Sequence, residues 1–214
     1  MIERVVLAGD VVTLRPLTID DVDALVAAAD EDRSTYGFTP VPDGHAAMHG
    51  YVEGVLADER VGWALPFVTT LTTDGRVVGS TRFLDLDDWG PARRVGGPPL
   101  GATGTPRTAE IGATWLAASA QRTAVNTEAK LLMLRHAFDT WDVERITFKT
   151  DARNARSRAA IERVGAKFEG IRRAHVRASD GGIRDTAYYS IVRAEWPAVR
   201  TGLEGRLAER EVGA

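Results

Sequence analysis

Two stretches hold groups that could do chemistry together. The first is Ala109-Glu110-Ile111-Gly112-Ala113-Thr114-Trp115-Leu116, which reads as a strand. A polar turn follows, Gln121-Arg122-Thr123-Ala124-Val125-Asn126, and a helix continues from Thr127. Small or polar turn residues leading into a helix N-terminus make an anion site: the backbone N–H groups point outward and the helix dipole favours negative charge. A pyrophosphate is the natural guest, although a plain strand-to-helix connection has the same pattern. Arg122 could add a charge-assisted contact to phosphate or lie solvated. The second stretch is Asp151-Ala152-Arg153-Asn154-Ala155-Arg156-Ser157. Asn154 opens a helix there, so Asn154 and Ser157 read first as capping residues and second as polar contacts to a ligand.

Glu110 is the best candidate for a general base. A carboxylate in an otherwise apolar strand calls for a reason, and a base within hydrogen-bond reach of a substrate proton is one; an exposed strand Glu is the alternative. Simple alternation puts Glu110 on the same side as Gly112 and Thr114. Glu169 and His175 are weaker candidates on a later strand. His136 falls on an apolar helical face and reads as a packed core residue. His45 and His49 lie one helical turn apart, but no carboxylate sits between them in a zinc-protease pattern, so no metal site is expected. Asp85, Asp87 and Asp88 form an acidic cluster that either attracts a cationic ligand or is a solvated turn.

The elements that must position these groups follow from pattern. Val11 to Arg15 reads as a strand ended by Pro16, and Thr18 with Asp20, Asp21 and Asp23 as a capped helix start. Ala46 to Asp58 has helical spacing. Trp63–Thr72 and Val77–Leu84 flank Asp74-Gly75, a hairpin turn signal. Asp88 to Thr108 is rich in Gly and Pro and reads as a long loop insertion, either a passive one or one that gates substrate or contacts a partner copy. Asn126–Trp141 is a strong helix, Arg145–Thr150 a strand, and Ser157–Val164 a helix closed by Gly165. Phe168–Arg177 and Thr186–Val192 form a second hairpin, and residues 195–214 carry a terminal helix. Helices alternating with strands around a mixed sheet give an α/β or α+β class.

Composition narrows the functions. The 214 residues carry a formal charge of −3, 44% hydrophobic residues and no cysteine. Mild acidity argues against a general nucleic-acid binder. Absence of cysteine removes thiol nucleophiles, disulfide frameworks and thiolate zinc sites. No stretch approaches the roughly 18 apolar residues of a membrane span, and the first ten residues lack a signal-peptide core, so a soluble cytoplasmic protein is expected.

The turn Gln121–Asn126 resembles the acyl-CoA loop of the GNAT superfamily of N-acyltransferases, with its Gln/Arg-x-x-Gly-x-Gly/Ala pattern. Thr127-Glu128-Ala129 continues the helix as the family does. Asn154 to Ser157 resembles the family's Asn-x-x-Ser element, and Gly165 with Phe168-Glu169-Gly170 resembles its ending. Leu14-Arg15-Pro16-Leu17 with Asp20-Asp21 resembles the opening of the RimJ/RimL-type branch. The resemblance implies one GNAT-like domain over residues 1–194, with a central mixed twisted sheet, splayed parallel strands and helices on both faces. It implies acetyl-CoA held by Thr114, Trp115, Leu116, Gln121 to Thr127, Asn154 and Ser157, with backbone N–H groups near Thr114 to Leu116 stabilising the oxyanion. The acetyl group would pass directly to an amine, a peptide N-terminus or a small molecule, with Glu110, Ser157 and Asn154 as catalytic candidates. Nucleic acid, membrane and metal are not expected partners; a homodimer is compatible with the family.

This chain departs from the family pattern in two places. Ala124 and Asn126 replace small loop residues; Ala124 fits if its φ is negative, and Asn126 would suit an N-cap. Ile161 stands where many members place a Tyr that protonates the leaving thiolate. These departures motivate a second reading, a regulatory acyl-CoA-binding module without turnover.

Overall fold

Period-two apolar runs and a few turn signals set the core of the fold. The computed structural model describes residues 2–88 and 105–212. Its strands are β1 (Leu7–Ala8), β2 (Val12–Pro16), β3 (Ala64–Leu71), β4 (Val77–Asp87), β5 (Thr108–Leu116), β6 (Arg145–Asp151), β7 (Lys167–Arg177) and β8 (Ile183–Val192). They form one mixed sheet in the order β1-β2-β3-β4-β5-β6-β8-β7. Neighbours pair antiparallel except β5 and β6, which are parallel.

The parallel pair is short. Thr108, Ala109 and Glu110 pair with Arg145, Ile146 and Thr147, and no pairing continues beyond. From Ile111 onward the two strands part, and the facing edges carry backbone N–H and C=O groups that β5 and β6 do not use on each other.

Helices cover both faces. Helices α1 (Val22–Asp30) and α2 (Gly44–Arg60) lie on one face, where Arg82 of β4 stacks on Tyr51 and Trp115 of β5 meets Tyr36 edge-on. Helices α3 (Val125–Arg135), α4 (Ala155–Val164) and α5 (Trp196–Val212) lie on the other. There Thr81 of β4 faces Met133, Arg158 donates to the Tyr189 hydroxyl, and Trp196 stacks on Phe138. The core includes Leu14, Phe67, Phe83, Met133, Ile146 and Tyr189, all fully buried.

Local sequence explains the joints. Asp21 accepts from the Thr18 N–H at 2.8 Å and pairs with Arg15, which fixes the entry to α1. Gly165 ends α4 with φ +105°, a conformation that costs glycine little. The buried Glu128 carboxylate accepts from the N–H groups of Asp10, Val11 and Val12 and ties the β1–β2 turn to α3.

The helix expected over Asn126–Trp141 differs in detail. It starts at Val125 and stops at Arg135, and a widened π turn runs from His136 to Thr140. That turn sets the His136 and Trp141 rings 4.6 Å apart, with Phe83 4.6 Å from Trp141. Of the Gly/Pro-rich stretch, residues 89–104 lie outside the described residues. Thr108, assigned to that loop from sequence, opens β5, and Arg107 donates to the Asp87 carbonyl at 2.6 Å just ahead of it.

Candidate active site

A cleft of about 520 Å³ opens where β5 and β6 part. Glu110 sits at the point of divergence, as the last β5 residue paired with β6. The residue is 6% exposed. Gly112 makes room for it: a Cβ there would lie 2.7 Å from Glu110 Oε1. The Lys149 ammonium of β6 touches Glu110 Oε2 and bonds Asp85 at 2.9 Å. Lys149 thus bridges the two carboxylates. Burial pushes the Glu110 carboxyl up to about 7, outweighing the opposing pull of Lys149. Burial works against the Lys149 ammonium, but the Glu110 and Asp85 carboxylates raise its pKa above the ordinary lysine value. Asp85 is thus half of an ion pair, on a side chain that stays exposed, rather than a free acidic lure or a merely solvated turn residue.

Thr114 is not on the Glu110 side, contrary to simple alternation. Between the pairs Ser80–Trp115 and Arg82–Gly112, two β5 residues oppose Thr81 alone. This bulge, with Ala113 at φ +48°, flips the strand's side-chain parity. Glu110 and Gly112 therefore face the α1/α2 side, while Thr114 turns to α3 and bonds Lys130 Nζ at 2.7 Å. Trp115 returns to the α1 side and is a core residue at 4% exposure. The Leu116 carbonyl accepts from the Gln121 side chain at 2.9 Å.

The turn into α3 is braced from several directions. Gln121 spends its side chain on Leu116 O, Thr35 Oγ1 and Arg156, and its N–H on Ala118 O. Arg122, at φ +64°, takes the left-handed conformation in this turn, while Ala124 has φ −70° and fits without strain. Thr123 does the capping: its hydroxyl donates to Ala120 O and accepts from the Val125 N–H. Asn126 is therefore a first-turn helical residue rather than the N-cap. Asn126 lines the cleft, as do Gln121 and Arg122, and it also borders a second cavity. Val125 is buried in the core. Thr127 lines that second, smaller cavity between α3, α4 and α5. First-turn N–H groups of a helix have no intrahelical acceptor, so this end of α3 presents donors to an anion.

On the α4 side, Asn154 caps the helix by accepting from the Ser157 N–H at 3.0 Å. Asn154, Ser157 and Ile161 all line the cleft. Glu169, a weaker base candidate, lies elsewhere: it is bound by Arg145 and Ser190, and Arg145 holds its carboxyl below the usual range. His175 does reach the cleft, bonded to Thr186 at 3.0 Å, and burial with nearby cations lowers its pKa. His136 packs against aromatic rings, as its helical face suggests. His45 and His49 pair with Asp23 and Glu53, and no cluster of three metal-ligating side chains occurs among the described residues. No described helix is long and apolar enough to cross a membrane.

Two lysines of the site escape a reading by motif. Lys149 follows Thr147 on the face that Glu110 shares, and the β5–β6 register alone reveals it. Lys130 leaves a trace in sequence: it stands three residues before Met133 and four before Leu134, both fully buried.

An edge left unpaired beside a helix N-terminus is a cradle for an extended anionic ligand. Residues 12–167, most of the chain, match the model of the acetyltransferase (GNAT) domain. The protein belongs to the GNAT acetyltransferase family. Among its GNAT relatives is YdaF of Bacillus subtilis (strain 168), whose name assigns it provisionally to ribosomal N-acetylation. It is 32% identical over 90 residues, 42% of this chain and 48% of YdaF, so the chain matches about half of that relative. A GCN5-related N-acetyltransferase from Brucella melitensis is 28% identical, with a TM-score of 0.78 over 95% of this chain and 85% of that one. Mycobacterium smegmatis RimJ, solved with CoA-disulfide, is 27% identical, with a TM-score of 0.71 over 94% of this chain and 91% of that one.

Proposed function

We propose that this GNAT protein transfers an acetyl group from acetyl-CoA to a primary amine, a peptide N-terminus or a small-molecule amine, by direct attack. The observation that carries the reading is the place of Glu110. It is a buried carboxylate at the fork of β5 and β6, on the α1/α2 side of the cleft, with its pKa raised to about 7. A base of that pKa accepts an amine proton efficiently near neutral pH. The thioester arm would lie along the unpaired edge of β5, with its phosphates at the start of α3 near Arg122 and Asn126. The amine would approach from the Glu110 face. Backbone N–H groups near Thr114 to Leu116 would meet the developing oxyanion. Asn154 and Ser157 would support the arm from α4. RimJ binding a CoA derivative supports the choice of co-substrate. A chain without cysteine fits both a cytoplasmic address and a mechanism in which the reactive sulfur belongs to the co-substrate.

The test has two parts. Calorimetry should show acetyl-CoA binding, and a panel of amines should include at least one that elicits release of CoA thiol. Binding without release for any amine would favour the regulatory-module reading, and absence of binding would refute both.

A further inference from the structure

Lys130 is a buried titratable group with no part in the reaction described so far. It lies on α3, is 5% exposed and lines the cleft. Its ammonium has no ion-pair partner among the described residues. Its polar contacts are Thr81 Oγ1 at 3.1 Å and Thr114 Oγ1 at 2.7 Å, and those two hydroxyls are 2.7 Å from each other. The side chains that meet this cluster from β4, β5 and α3 are Thr81, Thr114 and Met133, none of them titratable. His136, the ionisable group that opens the π turn after α3, packs on Phe83 and Trp141 instead. A lysine buried without a counter-charge costs stability, and an apolar residue of the same size would avoid the cost.

We propose that Lys130 supplies the proton taken by the departing CoA thiolate, passed through the hydroxyl of Thr114. The proposal rests on the acetyl-transfer reading and adds the acid to its base.

The β5 bulge gives the proposal its geometry. Glu110 faces the α1/α2 side of the strand and Thr114 the α3 side, so an acyl group on this edge has a proton acceptor on one face and a proton donor on the other. The cleft residues at the start of α4 and along it are weaker choices. Ile161 has no proton to give, the Asn154 carbonyl is spent on its helix cap, and Ser157 has no side-chain hydrogen bond to a titrating group among the described residues. Burial lowers the Lys130 ammonium to about 7, below an ordinary thiol near 8.5, so transfer to a thiolate runs downhill.

Atoms and charges balance across the step. The amine nitrogen forms a bond to the thioester carbonyl carbon and gives its proton to Glu110. The C–S bond breaks and its electron pair stays on sulfur. Sulfur takes the Thr114 hydroxyl proton, and Thr114 takes one from Lys130 Nζ. Lysine ends neutral, Glu110 ends protonated, and exchange with water resets both. Lys130 thus acts through Thr114, as a positioning and proton-supplying residue.

The test compares wild type with Lys130→Met, Lys130→Arg and Thr114→Val, measuring CoA release at saturating substrates from about pH 5.5 to 9.5. Wild type should give a bell whose falling limb reports the ammonium. Lys130→Met should lose that limb, and its kcat at pH 7 should fall by about 10²-fold or more. Its KM for acetyl-CoA should change by less than about twofold. Lys130→Arg keeps a cation but grips its proton too tightly to give it, so kcat should also fall. Thr114→Val should match Lys130→Met, and it carries the test if the methionine variant does not fold. A folded Lys130→Met, or in its place Thr114→Val, with wild-type kcat and falling limb would overturn the proton role alone. Wild type that binds acetyl-CoA yet releases no thiol with any amine would overturn the transfer reading beneath it.

Discussion

Replacing Glu110 with Gln keeps the shape of the buried group and removes its titration. The magnitude follows from the raised pKa, from 4.5 to about 7. In that window the folded state binds more protons than the unfolded chain, so the stability conferred by the protonated carboxyl is full below 4.5 and lost as pH rises through 7. At about 1.36 kcal/mol per unit, the ionised carboxylate in wild type forfeits up to about 3 kcal/mol above pH 7. The amide that replaces it does not titrate. The stability gap between Glu110→Gln and wild type should therefore widen in the variant's favour from pH 4.5 to 7.5, by up to about 3 kcal/mol in urea denaturation. Lys149 is not orphaned by the change, because Asp85 remains at 2.9 Å. Catalysis should move the other way. Loss of a general base lowers kcat by about 10²–10⁴-fold and removes the rising limb of the pH profile near 7. A pH-independent stability gap together with an intact rising limb would refute the assignment of Glu110 as the buried, titrating base.

Four further outcomes are expected. Gly112→Ala places a methyl 2.7 Å from Glu110 Oε1, so the carboxylate must swing aside; kcat should fall while acetyl-CoA affinity by calorimetry stays within about twofold. Asn126→Ile puts a β-branched chain on the cleft wall at the start of α3 and should weaken acetyl-CoA binding roughly tenfold, about 1.4 kcal/mol; unchanged affinity would contradict the phosphate placement. Glu128→Ala leaves the N–H groups of Asp10, Val11 and Val12 without their acceptor and should cost about 3 kcal/mol or more of unfolding free energy, read from urea melts. Lys130→Met should gain stability over wild type, most at pH 7 and below. The gain should shrink toward pH 10 by up to about 1.4 kcal/mol per unit, because the unfolded lysine holds its proton to higher pH; a flat gap in melts would contradict the burial.

Much of the fold is legible in the sequence because its signals are local. Period-two runs around Asp74-Gly75 mark the β3–β4 hairpin, and Gly165 marks the end of α4. The family's motifs in order locate cleft residues Asn126, Asn154 and Ser157, and a lone carboxylate in an apolar strand singles out Glu110. What sequence misses depends on non-local geometry. The side of Thr114 is set by a bulge opposite Thr81, which alternation along one strand cannot reveal. Asn126 reads as a cap by residue type, but the Thr123 hydroxyl already satisfies the Val125 N–H. Asp85 reads from sequence as part of a solvated acidic turn or a lure for a cation, and only the tertiary contact with Lys149 of β6 shows it as half of an ion pair. Lys149 itself carries no motif and becomes a site residue only through its contact with Glu110.

Label transfer from acetyl-CoA carrying a radiolabelled acetyl group tests the central claim most directly, using an amine that elicits thiol release. Direct attack predicts label in the acetylated amine, one equivalent of CoA per label transferred, and no amine-dependent release from Glu110→Gln beyond a small residual rate. Label retained covalently on the protein as an intermediate that the amine then discharges would contradict it.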